Sequence, residues 1–154
     1  MSEPTEPRRW RGRTPTNTRN NGCFACGPTN VRGLHLDVKH EGDVTYVDFT
    51  PDEHWQGVDG VVHGGLIATV LDEVMAWELY GYGTPAVTAK LEVTYRRPVP
   101  TGQPLRAAAQ LVEDRGRAKR LKAEIQDASG TVLAAAEALF ISVPKAREAA
   151  LRAR

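Results

Sequence analysis

One short stretch of the chain combines two features that could act together on a carbonyl group. His63, Gly64 and Gly65 precede a predicted helix, and Asp72 follows nine residues after the histidine. Glycines let a ligand approach the backbone, and the first N–H groups of a helix lack intrahelical partners and favour negative charge. Such donors can stabilise the oxyanion that forms when a thioester carbonyl is attacked, while a carboxylate activates water or attacks directly.

The helix that carries Asp72 is predicted to bury one face. Asp72 and Glu73 both lie outside the apolar row, and consecutive helical residues point about 100° apart, so only one of them can enter a given site. The small residues Ala68 and Ala76 flank Asp72 at i−4 and i+4, whereas larger residues flank Glu73. We therefore assign Asp72 as the candidate catalytic carboxylate. The i, i+4 row consists of Leu66, Ile67, Val70, Leu71, Val74 and Met75.

Length and charge limit the class of protein. The 154 residues suffice for one domain, and 20 basic against 19 acidic residues give a net charge of +1. Because this balance creates no strong overall field, we expect neither nucleic acid nor a membrane surface as a partner. The chain lacks an apolar run of about 18 residues and a secretory signal, which predicts a cytoplasmic protein.

Composition divides the chain into three regions. Residues 1–20 are rich in arginine, proline, threonine and asparagine and have little apolar content, which predicts a flexible basic arm. Residues 21–144 are expected to form a single domain. Residues 145–154 contain good helix formers without a cap, so we expect a fraying helical tail there.

The only two cysteines, Cys23 and Cys26, are spaced as in half of a zinc site or as in a redox pair. A zinc site would need two further ligands from a histidine of this chain or from a second subunit, and a redox pair normally lies in a βαβ context. The sequence shows neither context. We expect a reduced, structural pair, with no bound metal and no cofactor. The candidate histidines are His35, His40, His54 and His63.

Hydrophobic alternation and turn residues predict six strands around one helix. The helix is predicted over residues 64–80, after strands at 33–41 and 44–49 and before strands at 87–96, 105–113, 119–127 and 132–143. In the third strand, regular alternation places Leu91, Val93 and Tyr95 on one face and Thr88 on the other. Consecutive hairpins imply an antiparallel sheet, and the helix must bury its apolar row against it. The predicted class is α+β.

One long helix wrapped by an antiparallel sheet of about six strands is the hotdog fold. The stretch from Trp55 to Asp72 resembles the signature of PaaI-like acyl-CoA thioesterases of the hotdog-fold superfamily. The similarity extends from about Cys23 to Val143 and includes the Cys-Phe-Ala-Cys-Gly segment. It implies hydrolysis of an acyl-CoA thioester, with CoA as part of the substrate.

The resemblance also implies roles for individual residues. Gly64 would donate its N–H to the thioester carbonyl, with His63 and Gly65 in the same turn, and Asp72 would act as general base or nucleophile. Thr88 stands seven residues before a strand tyrosine, the position of a hydroxyl that helps to place the hydrolytic water in some relatives.

One position departs from the family pattern. Some relatives have an asparagine six residues before the histidine, where this chain has Gly57; the adjacent Gln56 is the candidate substitute. The family's active sites form between two subunits, so the resemblance implies a homodimer or a tetramer with sites at the subunit interface.

Substrate contacts can be predicted only by residue type. Trp55, Met75 and Trp77 could line an acyl or aryl pocket or could be plain core residues. Arg117 and Lys119 belong to a basic hairpin that would suit the phosphates of CoA or could be solvated strand charge. Two other functions remain open, a non-catalytic protein that binds or senses acyl-CoA and a hotdog hydratase.

Overall fold

The computed structural model describes residues 21–144 and residue 147, so the predicted arm and most of the predicted tail lie outside the described residues. The elements are strands β1 (Lys39–Glu41) and β2 (Val44–Phe49), helix α1 (Gly64–Gly81), and strands β3 (Ala86–Tyr95), β4 (Leu105–Arg115), β5 (Ala118–Asp127) and β6 (Val132–Ser142). The strands form one antiparallel sheet in the order β1-β2-β4-β5-β6-β3. The predicted α+β class and the order of elements are confirmed.

The core lies between α1 and the sheet. The predicted apolar row of the helix is buried except for Leu66, which is partly exposed, and Val70, Leu71, Val74 and Met75 are almost completely removed from solvent. Burial of each such side chain contributes about 1.5–3 kcal/mol relative to exposure. The sheet meets the helix with small side chains, which let the two layers approach closely. These are Ala107 and Ala109 of β4, Ala123 of β5 and Ala134, Ala136 and Ala138 of β6.

The first strand is shorter than predicted. Only Lys39–Glu41 pairs with β2, whereas the preceding residues bond to the cysteine-containing loop. The Leu34 N–H donates to the Phe24 carbonyl at 2.8 Å and the Leu36 N–H donates to the Ala25 carbonyl at 2.9 Å. His35 has a positive φ of 51°, which interrupts the extended backbone between them. The alternating residues do lie in the predicted segment, but their backbone hydrogen bonds go to a loop and not to a strand.

Strand β3 contains a bulge that the regular alternation did not predict. The register with β6 shifts between Thr88 and Lys90, so that Thr88 lies opposite Phe140 and Lys90 lies opposite Leu139. Directly opposed residues of an antiparallel pair point to the same face, and Phe140 is buried in the core. Thr88 therefore faces α1. The prediction that Thr88 and Tyr95 lie on opposite faces is wrong.

Among the described residues, no helix combines the length and the apolar character that a bilayer crossing requires.

Candidate active site

The first turn of α1 is capped by its own histidine. His63 is the N-cap residue, and its ring Nδ1 accepts a hydrogen bond from the Gly65 N–H at 2.9 Å. A Cβ at position 65 would lie 3.1 Å from that nitrogen, which accounts for glycine there. Because the cap already uses the Gly65 N–H, this group is not an open donor for a ligand.

The Gly64 N–H is the open donor of the helix end. The Leu66 and Ile67 N–H groups donate to the His63 carbonyl at 3.0 and 3.2 Å, whereas the Gly64 N–H donates to none of the described groups. The Gly64 carbonyl accepts from the Tyr95 hydroxyl at 2.7 Å, which ties the helix start to the end of β3. The positive end of the helix dipole strengthens the attraction of this N–H for an anionic oxygen.

Asp72 and Thr88 form the second part of the site. The Thr88 hydroxyl donates to Asp72 Oδ1 at 2.7 Å, across the gap between α1 and β3. This contact depends on the bulge, which turns Thr88 toward the helix. Burial raises the pKa of the half-buried Asp72 carboxyl, and the Thr88 hydrogen bond opposes that rise because it favours the charged form. The result is an oriented carboxylate of increased basicity.

These two parts of one chain are far apart. Gly64 and Asp72 are separated by eight residues of helix, which corresponds to about 12 Å along the axis. A carbonyl bonded to the Gly64 N–H at about 3 Å is out of hydrogen-bond reach of Asp72 in the same chain. Each chain therefore presents two separate groups, an open N–H donor at the start of α1 and a carboxylate about two turns later.

Strand β3 forms one edge of the described sheet, next to the Asp72 carboxylate. It is ten residues long, and the side chains of Val87 and Tyr95 are each 52% exposed. An edge of this length carries a row of backbone donors and acceptors that another strand can pair with.

Gln56, the candidate substitute for the asparagine of some relatives, lies in the loop before the helix. Gln56 is exposed, forms a backbone bridge with Val62, and its side-chain oxygen accepts from the Gly60 N–H at 3.2 Å. The described contacts of its side chain thus stay within the loop.

The predicted pocket residues lie in three different environments. Trp55 stacks on Phe49 with ring centroids 5.8 Å apart, and Met75 is completely buried in the core. Trp77 donates its indole N–H to Glu73 Oε1 at 2.9 Å and lines a cavity of about 370 Å³ against β1 and β2. Their roles in substrate binding stay predictions.

The basic hairpin between β4 and β5 offers two different environments. Lys119 is only 2% exposed, and its ammonium bonds to Asp114 at 2.7 Å and to the Gly116 carbonyl. Arg117 is exposed. Of the two predicted phosphate contacts, Lys119 is already paired within the hairpin and Arg117 faces solvent.

Glu73, which was set aside in favour of Asp72, has a distinct environment that the sequence did not predict. Its carboxylate lies with the sulfur atoms of Cys23 and Cys26, all within 4.8 Å of one another. Burial and the neighbouring Glu73 carboxylate raise the pKa of the Cys26 thiol to about 12. Two sequence signals were available, the paired cysteines spaced as in half of a zinc site and Trp77 at i+4, the residue that bonds to Glu73.

Comparison with known proteins gives a consistent family. The family model described as the thioesterase superfamily matches residues 59–134, which include both the helix start and Asp72. The acyl-coenzyme A thioesterase THEM4 of Mus musculus is 37% identical over 91 residues, 58% of this chain and 39% of that protein. The chain thus spans about two fifths of the length of this curated relative.

Many solved structures resemble this one, and two of them illustrate the similarity. A thioesterase superfamily protein superposes with a TM-score of 0.74 and 30% identity, covering 77% of this chain and 62% of the other. A Streptococcus mutans protein bound to acetyl CoA superposes with a TM-score of 0.67 and 21% identity, covering 71% and 90%. At 21% identity, the similarity to the second structure shows the fold alone.

Proposed function

We propose that this chain, which matches the thioesterase superfamily over residues 59–134, hydrolyses an acyl-CoA thioester to a free acid and CoA. The observation that carries this proposal is the Asp72 carboxylate, which accepts a hydrogen bond from Thr88 of β3. Asp72 lies on the same helix whose first N–H, at Gly64, is an open donor. A carboxylate and an oxyanion donor are the two groups that thioester hydrolysis requires.

The proposed reaction uses both groups on one carbonyl. The Gly64 N–H binds the thioester oxygen and stabilises the negative charge that develops there. Asp72 removes a proton from a water molecule, whose oxygen attacks the carbonyl carbon; the tetrahedral intermediate then collapses, the carbon–sulfur bond breaks and CoA leaves as the thiolate. In the nucleophilic form of the mechanism, Asp72 itself attacks and water then hydrolyses the mixed anhydride.

The separation of about 12 Å between Gly64 and Asp72 along the helix supports a site shared between two chains. We propose a homodimer in which the Gly64 of one chain faces the Asp72 of its partner. The long edge strand β3, which carries Thr88 beside Asp72, is the surface through which two copies pair. Dimers can assemble further into tetramers.

Coenzyme A is the proposed leaving group because the curated relative is an acyl-coenzyme A thioesterase and a structural neighbour binds acetyl CoA. Arg117 is the proposed contact for its phosphates, since this guanidinium is exposed while the Lys119 ammonium is paired with Asp114.

Thiol release from a panel of short, long and aromatic acyl-CoAs tests the proposal. We expect turnover of at least one class, and Asp72→Asn should reduce kcat by about 10²- to 10⁴-fold while acyl-CoA binding is largely kept. Asp43→Asn, in the exposed β1–β2 turn, serves as the matched control and should retain full activity. Tight acyl-CoA binding without thiol release would instead indicate a binding protein, and equal activity in Asp72→Asn would refute the assignment.

A further inference from the structure

A second group of reactive side chains lies on another face of α1, about 100° around the helix from the predicted catalytic residue. Cys23 and Cys26 come from the loop before β1, and Glu73 comes from the middle of the helix. One ligand atom from each, two sulfurs and one carboxylate oxygen, lies within 4.8 Å of the others. Cys26 is buried, while Cys23 and Glu73 are half-buried, so the group can be reached from solvent.

The loop holds the two sulfur atoms in a fixed turn. The Gly27 N–H donates to the Cys23 carbonyl at 2.8 Å, and the Cys23 N–H donates to Asn21 Oδ1 at 3.0 Å. A Cβ at position 27 would lie 2.3 Å from the Cys23 nitrogen, so only glycine fits. Both thiols therefore reach Glu73 from a backbone that has little freedom to move.

The carboxylate is oriented by a second contact. The Trp77 indole N–H donates to Glu73 Oε1 at 2.9 Å, one helical turn along α1. This hydrogen bond uses one of the two carboxylate oxygens and fixes the direction of the group toward the cysteine loop. Metal ligands in proteins are commonly oriented by such outer hydrogen bonds.

We propose that Cys23, Cys26 and Glu73 bind a zinc ion, with water in the fourth position. Two soft thiolates and one carboxylate form a donor set that suits a tetrahedral divalent cation of this kind. The ion replaces the two thiol protons, which pass to the buffer, and its two positive charges offset two of the three negative charges on the thiolates and the carboxylate. Bound there, it joins the loop of Cys23 and Cys26 to α1 at the neighbour of Asp72.

This inference is independent of the proposed hydrolysis, because none of the three ligands takes part in it. A structural ion at Glu73 would fix the position of the helix without touching the substrate. Metal content and activity therefore report on separate groups of residues, and a result that refutes one proposal does not refute the other.

The test uses the full chain, produced with zinc in the growth medium and then freed of metal for titration. We expect about one zinc per chain by elemental analysis, and less than about a tenth of that in Cys26→Ser. Glu73→Gln should weaken zinc binding at least about tenfold, whereas Glu53→Gln, an exposed carboxylate elsewhere, should bind as the unaltered chain does. Titration of the unaltered chain with cobalt should give thiolate-to-cobalt charge-transfer absorption.

Three results would overturn the proposal. The first is that the unaltered chain binds neither zinc nor cobalt. This result does not depend on whether any variant folds. The second is an intact mass two hydrogens below that of the reduced chain, which would identify a disulfide between Cys23 and Cys26. The third is unchanged zinc affinity in a folded Glu73→Gln variant, which would remove the carboxylate from the ligand set.

Discussion

Two inactive variants should restore activity when they are combined in one dimer. Gly64→Pro removes the donor N–H and adds the three ring carbons, and proline is well tolerated at the first position of a helix. His63 already has the extended conformation that a following proline requires, with φ −58° and ψ 132°. A Cβ at this position would lie 3.4 Å from the Tyr95 hydroxyl, a normal contact distance. Gly64→Ala adds the same Cβ and keeps the N–H, so it is the matched control.

The size of the effect follows from the geometry. Loss of one oxyanion donor lowers kcat by about 10²- to 10³-fold, and loss of the base lowers it by about 10²- to 10⁴-fold. In a heterodimer of Gly64→Pro with Asp72→Asn, one of the two shared sites contains an intact Gly64 and an intact Asp72. That heterodimer should therefore show about half the activity of the unaltered dimer, at least tens of times more than either variant alone.

The assay is thiol release by heterodimers that carry two different affinity tags and are purified on both. Gly64→Ala, tested alone, should keep most of the activity, which shows that the N–H and not the added carbon is responsible. If the doubly purified heterodimer is no more active than the single variants, Gly64 and Asp72 do not act on one carbonyl from opposite chains.

Two further predictions follow from single hydrogen bonds. Thr88→Val removes the donor that favours the charged form of Asp72, so the pKa of that carboxyl rises; because the base acts when ionised, the acidic limb of kcat/KM should move to higher pH, and an unchanged profile would contradict the role of Thr88. His63→Ala removes the helix cap and should lower the free energy of unfolding by about 1 kcal/mol, measured by urea denaturation, with His63→Asn as the variant that retains a capping oxygen.

The sequence predicted the elements well where local chemistry decides them. The helix was predicted over residues 64–80 and is observed at Gly64–Gly81. Gly116 and Gly130 have φ angles of 72° and 82°, and they form the turns that the sequence placed between the last three strands. These features depend on residues that are close in the chain, for which conformational preference and periodicity are sufficient signals.

Prediction of the site required information that local sequence patterns do not contain. One additional residue in β3 reverses the face of Thr88, yet the alternation of residue types reads the same with or without the bulge at Ala89. The helical pattern likewise gave the direction of Glu73 but not the segment that packs there. That segment is the loop around Cys23 and Cys26, about 50 residues earlier in the chain.

The position of β3 in the sheet determines when the hydrogen-bonded pair of Asp72 and Thr88 can form during folding. Its strand neighbour in the described sheet is β6, and Thr88 is placed by its register with Phe140, 52 residues later in the chain. A nascent chain can form α1 with Asp72 long before residue 140 has been synthesised, but Thr88 has no strand to align it until then. Asp72 thus acquires its hydrogen-bond partner only once the last strand has joined the sheet.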